Sequence, residues 1–80
     1  MGKEIKLVDA IKDKDYFVVN ISESLDQKIL NRLEEFGIRK YSVVRVLHLS
    51  KFASGGIVHV LGSNVCLDSR ILSNVRVCEL

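Results

Sequence analysis

The sequence lacks several features that would place it in a specialised class of protein. It has no apolar run near the roughly 18 residues that span a bilayer, and residues 1–4 lack the apolar core of a signal peptide. Its two cysteines, Cys66 and Cys78, lie far apart in apolar surroundings and form no C-x-x-C pair. Two cysteines that are widely separated in apolar surroundings predict buried free thiols. We therefore expect a cytoplasmic protein that does not insert into a membrane.

An excess of one charge sign is also missing from the chain as a whole. The formal net charge is +2, which is too small to indicate nucleic-acid binding by itself. Residues 1–36 carry six basic and eight acidic residues, whereas residues 37–80 carry six basic and two acidic residues. The positive excess of the second segment has two open interpretations, a solvated surface or a face that meets an acidic partner.

No set of residues has the spacing of a catalytic or cofactor site. His48 and His59 flank a glycine pair on strands that we expect to be neighbours, where they would face each other. Two imidazoles are an incomplete metal site, because zinc takes four ligands, so these histidines are weak metal candidates and otherwise ordinary strand residues. Neither has an acidic partner at a diagnostic spacing, and no G-K-[ST] follows the glycines. We expect neither an enzyme nor a bound cofactor.

The clearest pattern present is an amphipathic helix at residues 25–36, whose apolar positions recur every three or four residues. Ser24 is the predicted N-cap, with a capping box completed by the glutamine three residues later. Gly37 is predicted to end the helix in the left-handed conformation. Ile38 would then turn back to contact Leu33, as a Schellman motif requires.

Short strands surround this helix in a chain of 80 residues that we interpret as one domain, 1–80. Residues 50–56 predict a flexible hairpin loop, and Asp68 predicts the N-cap of a single helical turn. The fold class is therefore mostly β: a small barrel of five to six short strands with one α-helix inserted after the first long strand. We expect the barrel to be closed, because closure removes exposed edges.

An ordered set of short motifs extends over nearly the whole chain, from Leu7 to Val77. The set comprises Arg32-Leu33 with Gly37-Ile38, then Val44 and Val46, Gly55-Gly56-Ile57, Gly62, Val65-Cys66-Leu67 and Val75-Arg76-Val77. In this order and spacing the motifs resemble the FeoA family, small cytosolic proteins of bacterial ferrous iron uptake. Related SH3-like domains form the C-terminal end of iron-dependent repressors. The chain departs from the family pattern at four places: Tyr41 replaces a usual glycine, Ile57 a proline and Asp68 an arginine, and a glycine of the first loop is replaced within residues 12–15.

The resemblance implies an SH3-like barrel with an adaptor role and no reaction of its own. FeoA domains are thought to associate with the cytosolic GTPase part of the iron permease FeoB. SH3-like barrels usually bind at loops and exposed edges. We therefore expect partner contacts at Arg39, Lys40, Phe52, Gly55 and Gly56.

Two other functions stay open on the sequence. The first is a nucleic-acid-binding small barrel, or a regulatory domain descended from a repressor, which the basic second segment supports. The scarcity of aromatic side chains argues against nucleic-acid binding, because single-strand binders stack bases on aromatic rings. The second is direct iron binding through His48 and His59.

Overall fold

Residues 3–50 and 55–80, which a computed structural model of the chain describes, form one antiparallel β-sheet with two α-helices. The strands are β1 (Ile5–Lys6), β2 (Asp15–Ile21), β3 (Val43–Leu49), β4 (Gly55–Val60), β5 (Ser63–Asp68) and β6 (Val75–Glu79). The helices are α1 (Gln27–Glu35) and α2 (Ser69–Leu72), and a 3₁₀ turn spans Leu7–Asp9. Among these described residues, no helix has the length and apolar character needed to cross a membrane.

The six strands wrap around a single core in the order β1-β6-β2-β3-β4-β5. This confirms the mostly β, SH3-like fold and the insertion of α1 after the first long strand, β2. The expected closure is wrong for the described part of the chain, where β1 and β5 end the sheet and do not pair with each other. The reason is the shortness of β1: after two residues the chain enters the 3₁₀ turn and buries Leu7 in the core.

The core is built mainly from one face of the strands. Eight of the sixteen buried apolar residues are valines, and every one of these lies in a strand. Branching at Cβ suits a pleated surface, and burial of each such side chain contributes about 1.5–3 kcal/mol. Tyr16 is buried among them, and its hydroxyl oxygen accepts a hydrogen bond from the Ile11 N–H at 2.9 Å. The phenol therefore anchors the loop before β2 to the core.

Helix α1 begins later than predicted. Its N-cap is Asp26, whose carboxylate accepts from the Lys28 N–H at 3.1 Å. The assignment of this cap to Ser24 is wrong, because Ser22 and Ser24 form a local turn of their own. Their hydroxyl oxygens are 2.8 Å apart, and the Ser24 N–H donates to the Ser22 hydroxyl at 3.2 Å. The Ser24 hydroxyl thus points away from the first turn of α1.

The end of α1 follows the predicted Schellman motif. Gly37 has a φ of 88°, and its N–H donates to the Glu34 carbonyl at 2.9 Å. The Ile38 N–H donates to the Leu33 carbonyl at 2.8 Å, and both of these side chains are buried in the core. The N–H groups of Gly37 and Ile38 thus satisfy two carbonyls at the helix end, and the left-handed glycine returns the chain to the core.

The glycine pair Gly55 and Gly56 opens strand β4, so its prediction as part of a flexible loop is wrong. A Cβ on Gly56 would lie 2.5 Å from the His48 carbonyl oxygen, and a Cβ on Gly55 would lie 2.6 Å from the Leu67 carbonyl oxygen. These glycines therefore let β4 approach β3 and β5 closely. Phe52, the other predicted member of this region, lies outside the described residues.

Two further predictions concern β5 and the segment after it. The helical turn capped by Asp68 is confirmed: its carboxylate accepts from the Ile71 N–H at 2.8 Å, and Leu72 is buried. Both cysteines have free thiols, but Cys66 is exposed, so its predicted burial is wrong. Side chains alternate along β5, so Val65 and Leu67 face the core and Cys66 faces outwards.

The two candidate caps can be separated by stability measurements. Asp26→Ala should lower the free energy of unfolding by about 1 kcal/mol, because the Lys28 N–H loses its acceptor. Ser24→Ala should cost less than about 0.5 kcal/mol, since the exposed Ser24 hydroxyl bonds to the Ser22 hydroxyl and not to the backbone of α1. Urea unfolding followed by circular dichroism checks both values. A larger loss for Ser24→Ala than for Asp26→Ala would contradict the assignment.

The glycine pair generates a second prediction. Gly56→Ala should destabilise the fold by about 1–3 kcal/mol, because the added methyl group meets a backbone carbonyl that cannot move without disturbing β3. Gly62→Asn is the control: nothing lies within 4 Å of a Cβ there, and asparagine tolerates the left-handed backbone. Urea midpoints measure both. Equal stability of Gly56→Ala and the unmodified protein would disprove the close-approach explanation.

Candidate partner-binding surface

The predicted partner-binding residues lie at opposite ends of β3. Arg39 and Lys40 belong to the corner between α1 and β3, whereas Gly56 pairs with Leu49 at the far end of the strand. A seven-residue strand separates its ends by about 20 Å. The structure therefore does not bring the basic pair and the glycine pair into one surface.

A network of hydrogen bonds holds the corner of residues 37–42, which we call the α1–β3 corner. The Ser42 hydroxyl donates to the Gly37 carbonyl at 2.7 Å and accepts from the Arg39 N–H at 3.0 Å. The Tyr41 N–H donates to the Val18 carbonyl at 2.7 Å, which ties the corner to β2. The backbone of Tyr41 has a φ of 73°, in the left-handed region that costs a non-glycine residue about 1–2 kcal/mol.

The hairpin between β4 and β5 reaches the same corner. Its two turn residues, Leu61 and Gly62, have φ values of 48° and 77° and connect the paired residues Val60 and Ser63. This is the backbone of a type I′ turn, which favours asparagine or glycine at its first position over leucine. The residues Gly62-Ser63-Asn64 predict a turn at 62–64, but the turn begins one residue earlier, at Leu61. Any Cβ added to Gly37 would overlap the Leu61 side chain, so the hairpin tip covers the end of α1.

A polar row crosses the outer face of the sheet beside this corner. The Arg45 guanidinium donates to both Asp15 carboxylate oxygens, at 2.8 and 3.2 Å, and joins β3 to β2. His59 pairs with Arg45 in the ladder, and its Nδ1 lies 2.8 Å from the Asn64 side-chain oxygen. The hydrogen bond and charge of Arg45, with a contribution from His59, lower the pKa of Asp15, although partial burial opposes them. The same carboxylate raises the pKa of Arg45.

The two histidines do not face each other as expected. His59 is opposite Arg45 and His48 is opposite Ile57, so the two histidines are offset along the ladder between β3 and β4. Within residues 3–50 and 55–80, no three His, Cys, Asp or Glu side chains are grouped closely enough to hold a metal ion. The geometry thus adds no third ligand to either histidine.

The Asp15–Arg45 contact predicts a dependence on pH. Because the pKa of Asp15 is lower in the folded state, the contact stabilises the fold above the ordinary aspartate pKa and is lost as the pH falls through the lowered value. In Arg45→Gln the pKa of Asp15 should return towards its ordinary value, as measured by NMR of the side-chain carboxyl carbon. Arg76→Gln on the exposed face of β6 is the control. An unchanged Asp15 titration in Arg45→Gln would contradict the pairing.

Comparisons with known proteins identify the family of this fold. The model of the FeoA domain matches residues 2–78, and no curated protein sequence matches the chain. A manganese-dependent transcriptional repressor superposes with a TM-score of 0.88 at 25% identity; it matches 100% of this chain, which spans only 44% of the repressor. The crystal structure of an iron uptake regulatory protein, FeoA, gives a TM-score of 0.83 at 19% identity, with 98% of this chain and 100% of that one covered.

A third similar structure is the FeoA-like protein from Clostridium acetobutylicum, determined by NMR. Its TM-score is 0.80 at 16% identity, and the match covers 100% of this chain and 91% of that protein. Identities this low show a shared fold, whereas the family match extends over nearly all of the sequence. The chain therefore belongs to the FeoA domain family, whose small SH3-like proteins are linked to ferrous iron uptake.

Proposed function

We propose that this protein is a non-catalytic adaptor of ferrous iron uptake in the bacterial cytoplasm. Its partner is the cytosolic GTPase part of a FeoB-like iron permease, and residues 1–80 act as one binding domain. The observation that carries this proposal is the match of the FeoA domain over residues 2–78. An adaptor acts by presenting a surface, so the surface is the part of the molecule to be tested.

The α1–β3 corner is the surface that we assign to this role. Arg39 and Lys40 are exposed there, and within the described residues neither side chain lies within ion-pair distance of a carboxylate. Arg45, by contrast, is already paired with Asp15. The two free cations are therefore available to an acidic partner.

Gly55 and Gly56, at the other end of β3, stay in the proposal as a second contact region. The predicted contact residue Phe52, which is outside the described residues, stays in the proposal with them. Because Gly55 and Gly56 are needed for strand packing, their substitution would change folding and binding together. Phe52→Ala is the suitable variant for that region. We expect it to weaken partner binding without unfolding the domain, as a pull-down with circular dichroism would show.

A second candidate function is a nucleic-acid-binding small barrel or a regulatory domain descended from a repressor. The superposition on a manganese-dependent repressor, with a TM-score of 0.88, favours it. Binding to phosphates would weaken steeply as salt increases, because counterions are released on association. Fluorescence anisotropy with short DNA and RNA duplexes at two salt concentrations distinguishes this function from the adaptor.

Charge reversal at the corner tests the adaptor. The double variant Arg39→Glu/Lys40→Glu should bind the FeoB cytosolic domain at least about tenfold more weakly, or ~1.4 kcal/mol, because the introduced glutamates would repel the carboxylates that Arg39 and Lys40 attract. Its urea midpoint should be unchanged, since both side chains are exposed. Isothermal titration calorimetry measures the affinity.

The control carries the same change of charge elsewhere, as Lys12→Glu/Lys28→Glu at two other exposed lysines. It should bind like the unmodified protein. Equal weakening in both double variants would mean that net charge, and not the corner, determines binding. Absence of any binding by the unmodified protein would overturn the adaptor proposal.

A further inference from the structure

Exposed apolar side chains are concentrated at one place on the described surface. Of the five large hydrophobic residues that are exposed within the described residues, three belong to this place: Tyr41 at 73%, Val43 at 47% and Leu61 at 76%. The other two, Ile11 and Leu80, lie in the loop before β2 and after the end of β6. A cluster of this kind on a small domain marks an interaction site more often than scattered single residues do.

The α1–β3 corner connects these three residues. The Leu61 side chain lies against Gly37 at the start of the corner, and Val43 is the first residue of β3 directly after it. Tyr41 lies two residues before Val43, in the corner whose end at Gly37 is covered by the Leu61 side chain. We call Tyr41, Val43 and Leu61 the apolar patch; Arg39 and Lys40 border it.

Two members of the patch are held in an unfavourable backbone conformation. Tyr41 and Leu61 have φ values of 73° and 48°, where bulky side chains are disfavoured and glycine or asparagine is not. Because both side chains are more than 70% exposed, burial in the core does not offset this strain. Strain at exposed residues that the fold itself does not need is typical of binding surfaces.

We propose that the apolar patch anchors the partner, with Arg39 and Lys40 pairing with carboxylates beside it. The occupant is a protein surface that presents an aliphatic or aromatic side chain next to aspartate or glutamate. This inference rests on the proposed adaptor function, because it names the residues that contact that partner.

The local charges favour a protein surface over an anionic membrane. Glu34 and Glu35 are exposed on the last turn of α1, and together with Arg39 they line one shallow depression. Two acidic residues thus accompany the two basic ones at this end of the barrel. Such a mosaic suits pairwise contacts with a protein and repels a uniformly negative lipid surface.

Asparagine substitutions separate binding from folding, because they remove the apolar side chain and relieve the backbone at once. Leu61→Asn also creates the Asn-Gly pair preferred in a type I′ turn. We expect Tyr41→Asn and Leu61→Asn to keep or raise the urea midpoint and to weaken binding to the FeoB cytosolic GTPase domain by about tenfold or more. Ile11→Asn, at an exposed residue outside the patch, should bind normally.

The outcomes are distinguishable when affinity, stability and mass are measured together on the full chain. Stable variants with weakened binding support the patch. Variants that bind as tightly as the unmodified protein overturn the patch and leave the adaptor function intact. If the unmodified protein does not bind, both proposals are overturned. Two results would overturn the proposed occupant. If the protein sediments with phosphatidylglycerol vesicles through the patch and does not bind the FeoB cytosolic domain, the occupant is lipid. If the protein forms a dimer that the variants abolish, the occupant is a second copy of the chain.

Discussion

The hydrogen bond from the Ile38 N–H to the Leu33 carbonyl is the contact on which the rest of this surface depends. It forms because Gly37 adopts the left-handed conformation, and it ends α1 with both apolar partners buried. The chain then enters β3 through a corner locked by the Ser42 hydroxyl on the Gly37 carbonyl. Because Gly37 has no Cβ, the β4–β5 hairpin can approach closely, and Leu61 covers the helix end. One glycine therefore brings three segments of the chain together.

The two ends of β3 are built by opposite devices. At the end near Leu49, glycines Gly55 and Gly56 allow neighbouring backbones to approach, and their lack of side chains serves the fold. At the other end, bulky residues occupy left-handed positions and expose most of their side-chain surface, which costs stability. The core between the ends is a regular layer of strand valines. The proposed binding surface therefore lies at the strained end, where stability has been given up.

Local patterns in the sequence were enough to predict the α1 ending, the turn capped by Asp68, the mostly β fold and the family resemblance, because each depends on neighbouring residues or on their order. The errors depend on tertiary contacts. Ser24 has the properties of a cap, but Ser22 engages its hydroxyl. A Gly-Gly pair usually indicates a turn, and only the carbonyls of adjacent strands show why this pair lies in β4. The apolar patch could not be predicted because Tyr41 contradicts local preference; its φ of 73° is the left-handed conformation that favours glycine, the residue that the FeoA resemblance implies here.

The most direct test of this account is a proton–nitrogen NMR titration of the labelled protein with the FeoB cytosolic domain of the same organism. We predict that the perturbed amides cluster at residues 39–43 and 61–62, the corner and hairpin tip that Gly37 brings together. The amides of β6, which lies on the side of β2 away from β3, serve as an internal reference. Perturbations confined to the Leu49 and Gly56 end of β3, or none at saturating partner, would contradict the account.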